Sequence, residues 1–461
     1  MPKQQHPTSP ARTVGRRLRT PLAAVAAASA LATLAACSAP GSDSGSANAT
    51  PTAVNTAVAD KAATLTLFSA AGLETYEQGL ADAFMAKYPK IKVKLRVEAD
   101  NNYNTVLPRL LASDSTPDIV QPSDLLGGVK DGLLTNLDAY DKAYDWSAKV
   151  PASALAPGRV SNGVIGEGPL YQAGGSAGPL VGVFYNKELA AKVGMKKVPS
   201  SIAELEAVMA KAKKSGITPI VASNQDGLIG HLYSLLLGNY MGADKLSAIV
   251  YHQPDATLDT PDAVKATETL QKWIKAGYFA SDVNALNQEA SYGQFTGGKG
   301  LLFFQGSWIT QTIDKNFKGK YGVFPMPPAE KNGPHTGMTS NTLAFSIAAR
   351  SKNKDAAGLF LDFLTTPEAA KVAVDNGYAA LTDGTASPGK PSLSGTLTDQ
   401  IQGGYATIAV DNGFDSWLQN AAPEVNTKLT QQLQLLVSGK VKPAAMVNTL
   451  QTTYADALKS S

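Results

Sequence analysis

The chain has 461 residues, of which 44% are apolar and 17% charged, with a formal net charge of +3. This is the composition of an ordinary globular protein, and the length allows roughly two or three domains of ~150 residues. Five basic residues and no acidic one lie within residues 1–36, so the 38 acidic side chains outnumber the basic ones elsewhere, and nothing favours nucleic acid as a partner.

The N-terminus has the layout of an export signal. Basic residues precede an alanine-rich apolar run over residues 22–36, which is too short to span a bilayer as a mature helix. Cys37, the only cysteine, follows Leu-Ala-Ala directly, and this segment is similar to a bacterial lipobox, whose cysteine receives diacylglycerol. We therefore expect a signal peptide over 1–36, then a lipidated Cys37 and a flexible tether over 37–63, which is rich in Ser, Ala, Gly and Thr. The sequence leaves open whether export is general or twin-arginine.

The first part of the folded region alternates predicted strands and helices. Pro89 ends a helical pattern, and strict alternation of apolar and charged residues over 91–97 indicates a half-buried strand. The elements in chain order are a strand over 64–68, a helix over 74–87, a strand over 91–97, a helix over 103–113 and a brief strand over 117–120. This order predicts parallel β-α-β units in an open α/β sheet.

Ligands of open α/β sheets bind outside the carboxyl ends of the strands. This rule marks three loops, which are Ser69–Glu74, Gln121–Asp124 and the loop around Asn101.

A second α/β set follows and predicts a second layered half. Its predicted elements are strands over 180–185, 219–222, 300–304 and 343–347, and helices over 201–213, 228–239, 262–276, 355–364 and 423–438. Two such halves in one chain predict a cleft between them.

Several short segments occur in an order that resembles one protein family. They are Phe84-x-x-x-Tyr88-Pro89, Thr116-Pro-Asp-Ile-Val120, Val183-Phe-Tyr-Asn-Lys187, Phe295-Thr-Gly-Gly-Lys-Gly300, Gly306-Ser-Trp308, Phe324-Pro-Met-Pro327 and Val437-Ser-Gly439. Together they resemble the bacterial extracellular solute-binding proteins of the sugar-binding group, to which maltose-binding protein belongs. Ser201-Ile202 stands where Thr-Trp is usual in that family, which is a mild departure.

The resemblance implies a two-lobe periplasmic-binding-protein fold, in which each lobe is a mostly parallel sheet flanked by helices. A hinge would join the lobes at several crossings, near Gly174–Gly178, Gly337–Asn341 and Tyr378–Thr382. The implied division is lobe 1 over 64–174 with a return over 338–380, and lobe 2 over 175–337 with a return over 381–461.

The implied function is capture without chemistry. The protein would be a monomeric lipoprotein, anchored through Cys37 to the outer face of the cytoplasmic membrane. It would close on a sugar or oligosaccharide and deliver it to the permease of an ABC importer, with no cofactor and no enzymatic step.

A sugar presents an apolar C–H face and a rim of hydroxyl groups, so its site needs aromatic platforms and a few fixed polar groups. The resemblance and the predicted strand ends point to Trp308 and Trp417 as platforms, with Tyr103 and Tyr171 as weaker candidates. Trp146 and Trp273 fit packing positions. The polar candidates for ligand contact are Glu74, Gln121, Asp124, Ser307 and Asn341.

Three alternatives stay open. The same fold could bind a polyol phosphate, an amino sugar, a peptide or an anion, although neither Arg109 nor Arg159 has a convincing position in the cleft. A serine hydrolase is a remote alternative, because Gly174-Gly-Ser-Ala-Gly178 matches its motif but is followed by Pro179 and a strand instead of a helix. A surface adhesin would need an exposed apolar patch, which nothing in the sequence demands.

Overall fold

A computed structural model describes residues 53–122, 124–150, 152–338, 343–380 and 394–460. The predicted signal peptide, Cys37 and Asn341 lie outside the described residues. Within these ranges, no helix combines the length and the apolar character needed to cross a bilayer.

Strands and helices alternate along the described chain. The strands are β1 (Ala63–Ala70), β2 (Ile91–Glu98), β3 (Ile119–Val120), β4 (Arg159–Ser161), β5 (Val164–Leu170), β6 (Val181–Asn186), β7 (Ile220–Val221), β8 (Leu302–Gly306), β9 (Tyr321–Phe324), β10 (Gly337–Met338), β11 (Ser346–Ile347) and β12 (Phe414–Asp415). The helices are α1 (Glu74–Lys87), α2 (Asp100–Leu111), α3 (Leu125–Lys130), α4 (Asp138–Tyr144), α5 (Trp146–Lys149), α6 (Ala152–Leu155), α7 (Lys187–Lys192), α8 (Ile202–Lys214), α9 (Ile229–Met241), α10 (Ala243–Val250), α11 (Pro261–Lys275), α12 (Gln288–Thr296), α13 (Thr310–Phe317), α14 (Lys354–Phe363), α15 (Pro367–Asp375), α16 (Leu397–Val410), α17 (Pro423–Val437) and α18 (Pro443–Ser460).

The first sheet has the strand order β11-β3-β1-β2. Strand β1 pairs in parallel with β2 and β3, while the short β11 runs antiparallel to β3. Helix α1 covers this sheet with a buried stripe of Tyr76, Leu80 and Phe84, which recur at helical spacing. The predicted helix over 74–87 and the parallel arrangement of the first three strands are confirmed.

The second sheet has the order β7-β8-β6-β9, and it corrects the prediction that each lobe has a mostly parallel sheet. Only β7 and β8 are parallel, because β6 runs antiparallel to both β8 and β9. All residues of β6 are buried, so its sequence reads like a strand of a parallel sheet. Apolar runs report burial and carry no information on strand direction.

Each sheet has its own hydrophobic core. One core gathers side chains from β1, α1 and α14 and includes the fully buried Trp146, and the other gathers α9, α11, α17 and α18 around Trp273. The exposed fraction is 1% for Trp146 and 0% for Trp273, which confirms that both tryptophans are packing residues.

Three chain segments meet between the two cores. Ala173 and Phe345 form a bridge, the N–H of Leu343 donates to the carbonyl oxygen of Ser176 at 2.9 Å, and the N–H of Ala177 donates to that of Ala379 at 2.8 Å. A side chain at Gly175 would overlap the carbonyl oxygen of Leu364, so glycine is required there by the closeness of the backbones. The glycine-rich segment thus serves close packing of the crossing chains.

The predicted tether extends too far into the folded region. Val58 has an exposed fraction of 6% and packs against the first core, and the N–H of Asn55 donates to Oδ1 of Asp355 at 3.3 Å. Apolar side chains scattered in a low-complexity stretch are enough to dock it, so the structured region begins before β1.

Candidate functional site

The loops after β1, β2 and β3 lie at one edge of the first sheet, because these strands are parallel. Glu74 is half-buried at the start of α1, and its Oε2 accepts a hydrogen bond from the N–H of Gly72 at 2.6 Å. Asp124 is exposed and caps α3 by accepting from the N–H of Gly127 at 2.8 Å. Gln121 is half-buried at the end of β3. This edge is polar, and its two carboxylates are oriented by their own loops.

The two candidate tyrosines support this edge from beneath. The hydroxyl of Tyr103 lies 3.2 Å from the carbonyl oxygens of both Phe68 and Gln121, and its ring stacks on Phe68 with centroids 5.0 Å apart. Tyr103 and Tyr171 both belong to the core below the strand ends, with exposed fractions of 3% and 6%. These contacts favour a structural role for both tyrosines and do not support direct ligand contact.

Glu77 is a buried carboxyl that the sequence reasoning missed. It lies on the apolar stripe of α1 near the end of β1, and burial raises the pKa of Glu77 to about 8, although the Ser69 hydroxyl lowers it. The carboxyl is therefore protonated through much of the neutral range. A glutamate between Tyr76 and Leu80 on a helix stripe was the available signal.

On the second sheet, the Gly-Ser-Trp segment ends β8 and begins a short 3₁₀ turn. A side chain at Gly306 would overlap the six-membered ring of Trp308, so the glycine lets this indole lie flat against the strand end. Ser307 is fully buried, and its N–H donates to the carbonyl oxygen of Leu180 at 2.9 Å. That bond ties the end of β8 to the start of β6 and fixes the position of Trp308.

Trp308 and Trp417 lie far apart in the chain but meet in the structure, together with His231. The ring centroids are 5.8 Å apart for Trp308 and Trp417, 4.7 Å for His231 and Trp417, and 5.8 Å for His231 and Trp308. Both indoles are half-buried. We call these three residues the aromatic cluster. The sequence reasoning placed both tryptophans but tested His231 only for metal-ligand spacing, so it missed the third ring.

The aromatic cluster carries buried polar atoms with no hydrogen-bond partner among the described residues. They are Nε1 of Trp417, Nδ1 of His231 and Oε1 of Gln419. Gln419 lies against α9 close to the histidine, since its Oε1 is 3.6 Å from the position of a Cβ on Gly230. Burial lowers the pKa of His231 to about 4, so its imidazole is neutral at pH 7. Two platforms and three polar atoms suit a ligand with an apolar face and hydroxyl groups.

Neither enzyme chemistry nor metal binding finds a constellation here. Ser176 of the G-x-S-x-G motif has an exposed fraction of 3%, forms a bridge with Ala380, and lies 3.4 Å from the hydroxyl of Tyr76. It therefore lies in a crossing segment and not on the strand-to-helix turn that a nucleophile elbow requires. No cluster of three or more potential metal-binding side chains occurs in the described part of the chain.

Comparison with known proteins identifies the family. Residues 70–371 match the family of bacterial extracellular solute-binding proteins. The multiple sugar-binding protein of Streptococcus mutans serotype c is 26% identical over 304 residues, which cover 62% of this chain and 67% of that protein. The maltooligosaccharide ABC transporter solute-binding lipoprotein of Streptococcus pneumoniae is 26% identical over 322 residues, or 68% of this chain and 70% of that protein.

Solved structures share the fold. A chitin oligosaccharide binding protein aligns with a TM-score of 0.67 at 21% identity, over 86% of this chain and 99% of that one. The GacH receptor of Streptomyces glaucescens aligns with a TM-score of 0.68 at 21% identity, over the same shares of the two chains. The chain therefore has the two-lobe periplasmic-binding-protein fold and belongs to the family of bacterial extracellular solute-binding proteins.

Proposed function

We propose that this protein captures a sugar or oligosaccharide between its lobes and delivers it unaltered to the permease of an ABC importer. The observation that carries the proposal is the aromatic cluster with its buried polar atoms, which offers indole faces for C–H groups and Nε1, Nδ1 and Oε1 atoms for hydroxyl groups. The names of the relatives support it, since one is a multiple sugar-binding protein and another a maltooligosaccharide-binding lipoprotein.

The charges near the site favour a neutral ligand over a phosphate. Arg159 is occupied by ion pairs, with nitrogen–oxygen distances of 3.1 Å to Asp141 and 3.6 Å to Asp138. Arg109 is exposed near the end of α2, away from the strand ends that form the polar edge. A phosphate-binding site would use such guanidinium groups directly, so a polyol phosphate is the weaker candidate.

The proposal includes membrane attachment and a monomeric state. A diacylglycerol on Cys37 would hold the protein on the outer face of the cytoplasmic membrane, and the residues after it would let the lobes reach a permease. A relative described as a lipoprotein supports this anchor. The lobes would be joined by the crossing segments around Ser176 and Ala379, with lobe 1 over 64–174 and 338–380 and lobe 2 over the rest.

The first test is a thermal-shift screen of the purified protein against malto-, xylo- and chito-oligosaccharides, followed by calorimetric titration with each hit. Trp308→Ala is expected to raise Kd by about 10–100-fold, because it removes one of the two platforms. Tyr278→Ala is the matched control, since Tyr278 is a half-buried aromatic residue of the same lobe that makes no ring contact with the cluster. Equal affinity of wild type and Trp308→Ala, with the control unchanged, would contradict the proposal.

A further inference from the structure

The two lobes touch at a second place, away from the crossing segments. The hairpin of β4 and β5 presents Ile165, whose N–H donates to the carbonyl oxygen of Tyr251 at 3.1 Å. The carbonyl oxygen of Ile165 accepts from Nε2 of Gln253 at 2.7 Å. Both backbone polar groups of one residue in the first lobe are thus bound to a loop that follows α10 in the second lobe. We call this pair of hydrogen bonds the latch.

The hairpin is built to approach that loop closely. Its tip is Asn162-Gly163, and both residues have positive φ, which is typical of a tight two-residue hairpin turn. Gly166 follows Ile165 with a φ of 116°, and a Cβ at this position would lie 3.3 Å from Nε2 of Gln253. A side chain at 166 would crowd the amide and strain the backbone, so glycine suits the latch here.

The loop on the other side is connected to the aromatic cluster. Oγ of Ser416 donates to the hydroxyl of Tyr251 at 2.9 Å, and Ser416 directly precedes Trp417. The ring of His252 is hydrogen-bonded to the carbonyl oxygen of Ala421. The loop over 251–253 is therefore fixed to the segment that carries one of the platforms, and both belong to one rigid part of the second lobe.

The two faces of the site are separate in this arrangement. No hydrogen bond, ion pair or ring contact within the described residues joins Ser69–Glu74 or Gln121–Asp124 to the aromatic cluster. The latch, by contrast, is formed. A rotation that brings the two faces together moves the lobes by far more than the few tenths of an ångström that a hydrogen bond tolerates.

We propose that the latch holds the open, ligand-free arrangement of the lobes and that ligand-driven closure has to break it. The inference rests on the proposed function for its ligand, but the latch itself can be tested without one. Any interaction that favours the open state lowers the apparent affinity, because part of the ligand's binding free energy is used to shift the population. The latch would thus weaken ligand binding and speed release.

The test uses Gln253→Ala, which removes the side-chain half of the latch. With the tightest-binding member of the series from maltose to maltohexaose, Kd is expected to fall by about 3–10-fold through slower dissociation, which is the effect of losing one neutral hydrogen bond from the open state. Gln311→Ala is the matched control, because its Nε2 also donates to a carbonyl oxygen of the other lobe, that of Asp375, at 2.8 Å. That bond lies beside the crossing segments, where rotation displaces atoms least, so this variant should change Kd by less than about twofold.

Amide hydrogen exchange gives a readout that a merely structural contact would not move. In ligand-free protein, Gln253→Ala should speed exchange at the Ile165 amide. In wild type, saturating ligand should also speed exchange at Ile165 while it slows exchange around Trp308 and Trp417. Weaker binding by Gln253→Ala, or slower exchange at Ile165 on ligand addition, would overturn the latch. If no sugar binds to the wild type, the proposed function fails, and unchanged ligand-free exchange in Gln253→Ala would overturn the latch separately.

Discussion

Gly306→Ala is the sharpest perturbation that the site offers, because it moves a platform without removing it. The added methyl group would overlap ring carbons of Trp308. Non-bonded carbon atoms need about 3.5–4 Å, so the indole has to move by roughly 1.5 Å or rotate away from the strand end. The ring is held only by its place against β8 and by Trp417 and His231, so the displacement should break the cluster.

The expected result follows from these contacts. Losing the platform should raise Kd for the sugar by about 10–100-fold, which corresponds to about 1.4–3 kcal/mol. Overpacking should lower the free energy of unfolding by about 1–3 kcal/mol, less than the roughly 5–15 kcal/mol that holds a typical domain folded. The variant should therefore fold and bind poorly, as shown by calorimetric titration together with a melting curve.

Gly293→Ala is the control for this experiment. Gly293 lies inside α12 of the same lobe, and a Cβ there meets no atom within 4 Å. Alanine in a helix interior should raise stability by about 0.5–1 kcal/mol and leave Kd unchanged. A folded Gly306→Ala protein that binds the sugar as tightly as Gly293→Ala would refute the assignment of Trp308 as a platform.

Three further predictions concern single side chains. In the native protein Glu77 keeps its proton up to about pH 8, while the unfolded chain releases it near 4.5, so this residue should make stability fall by about 1.4 kcal/mol per pH unit across that window; denaturant unfolding of Glu77→Gln should lack this part of the slope, and identical pH profiles would refute it. His231→Phe keeps a ring between the tryptophans but loses Nδ1, so titration should show a Kd raised by about 3–10-fold; because the pKa of His231 is about 4, wild-type affinity should be flat from pH 6 to 8. Cys37→Ala should move the protein from the membrane to the soluble fraction, and continued sedimentation with membranes would argue against lipidation.

The first lobe was the more predictable part of the fold. Strict alternation over 91–97 and the proline at position 89 identify β2 and the end of α1, and the order of elements is enough to predict their parallel pairing. The second sheet was not predictable in the same way. The apolar run of β6 is compatible with either direction, and the antiparallel pairing of β6 with β8 depends on where the chain returns after α9 to α12.

The site shows the same division. Trp308 and Trp417 could be chosen from the sequence because each follows a predicted strand or motif of the family. Their contact with each other and with His231 could not, because three segments distant in the chain form it only after the second lobe has packed. Glu77 was missed for the opposite reason, since a polar residue on an apolar stripe was assigned to the helix surface.

The central claim is that the aromatic cluster receives a carbohydrate that leaves unaltered. Calorimetric titration of the wild type with a malto-, xylo- and chito-oligosaccharide series, followed by chromatography of the recovered sugar, tests it most directly. The account predicts saturable binding of at least one series, loss of that binding in Gly306→Ala, and recovery of the intact sugar. Absence of binding across all three series, or recovery of cleaved sugar, would contradict it.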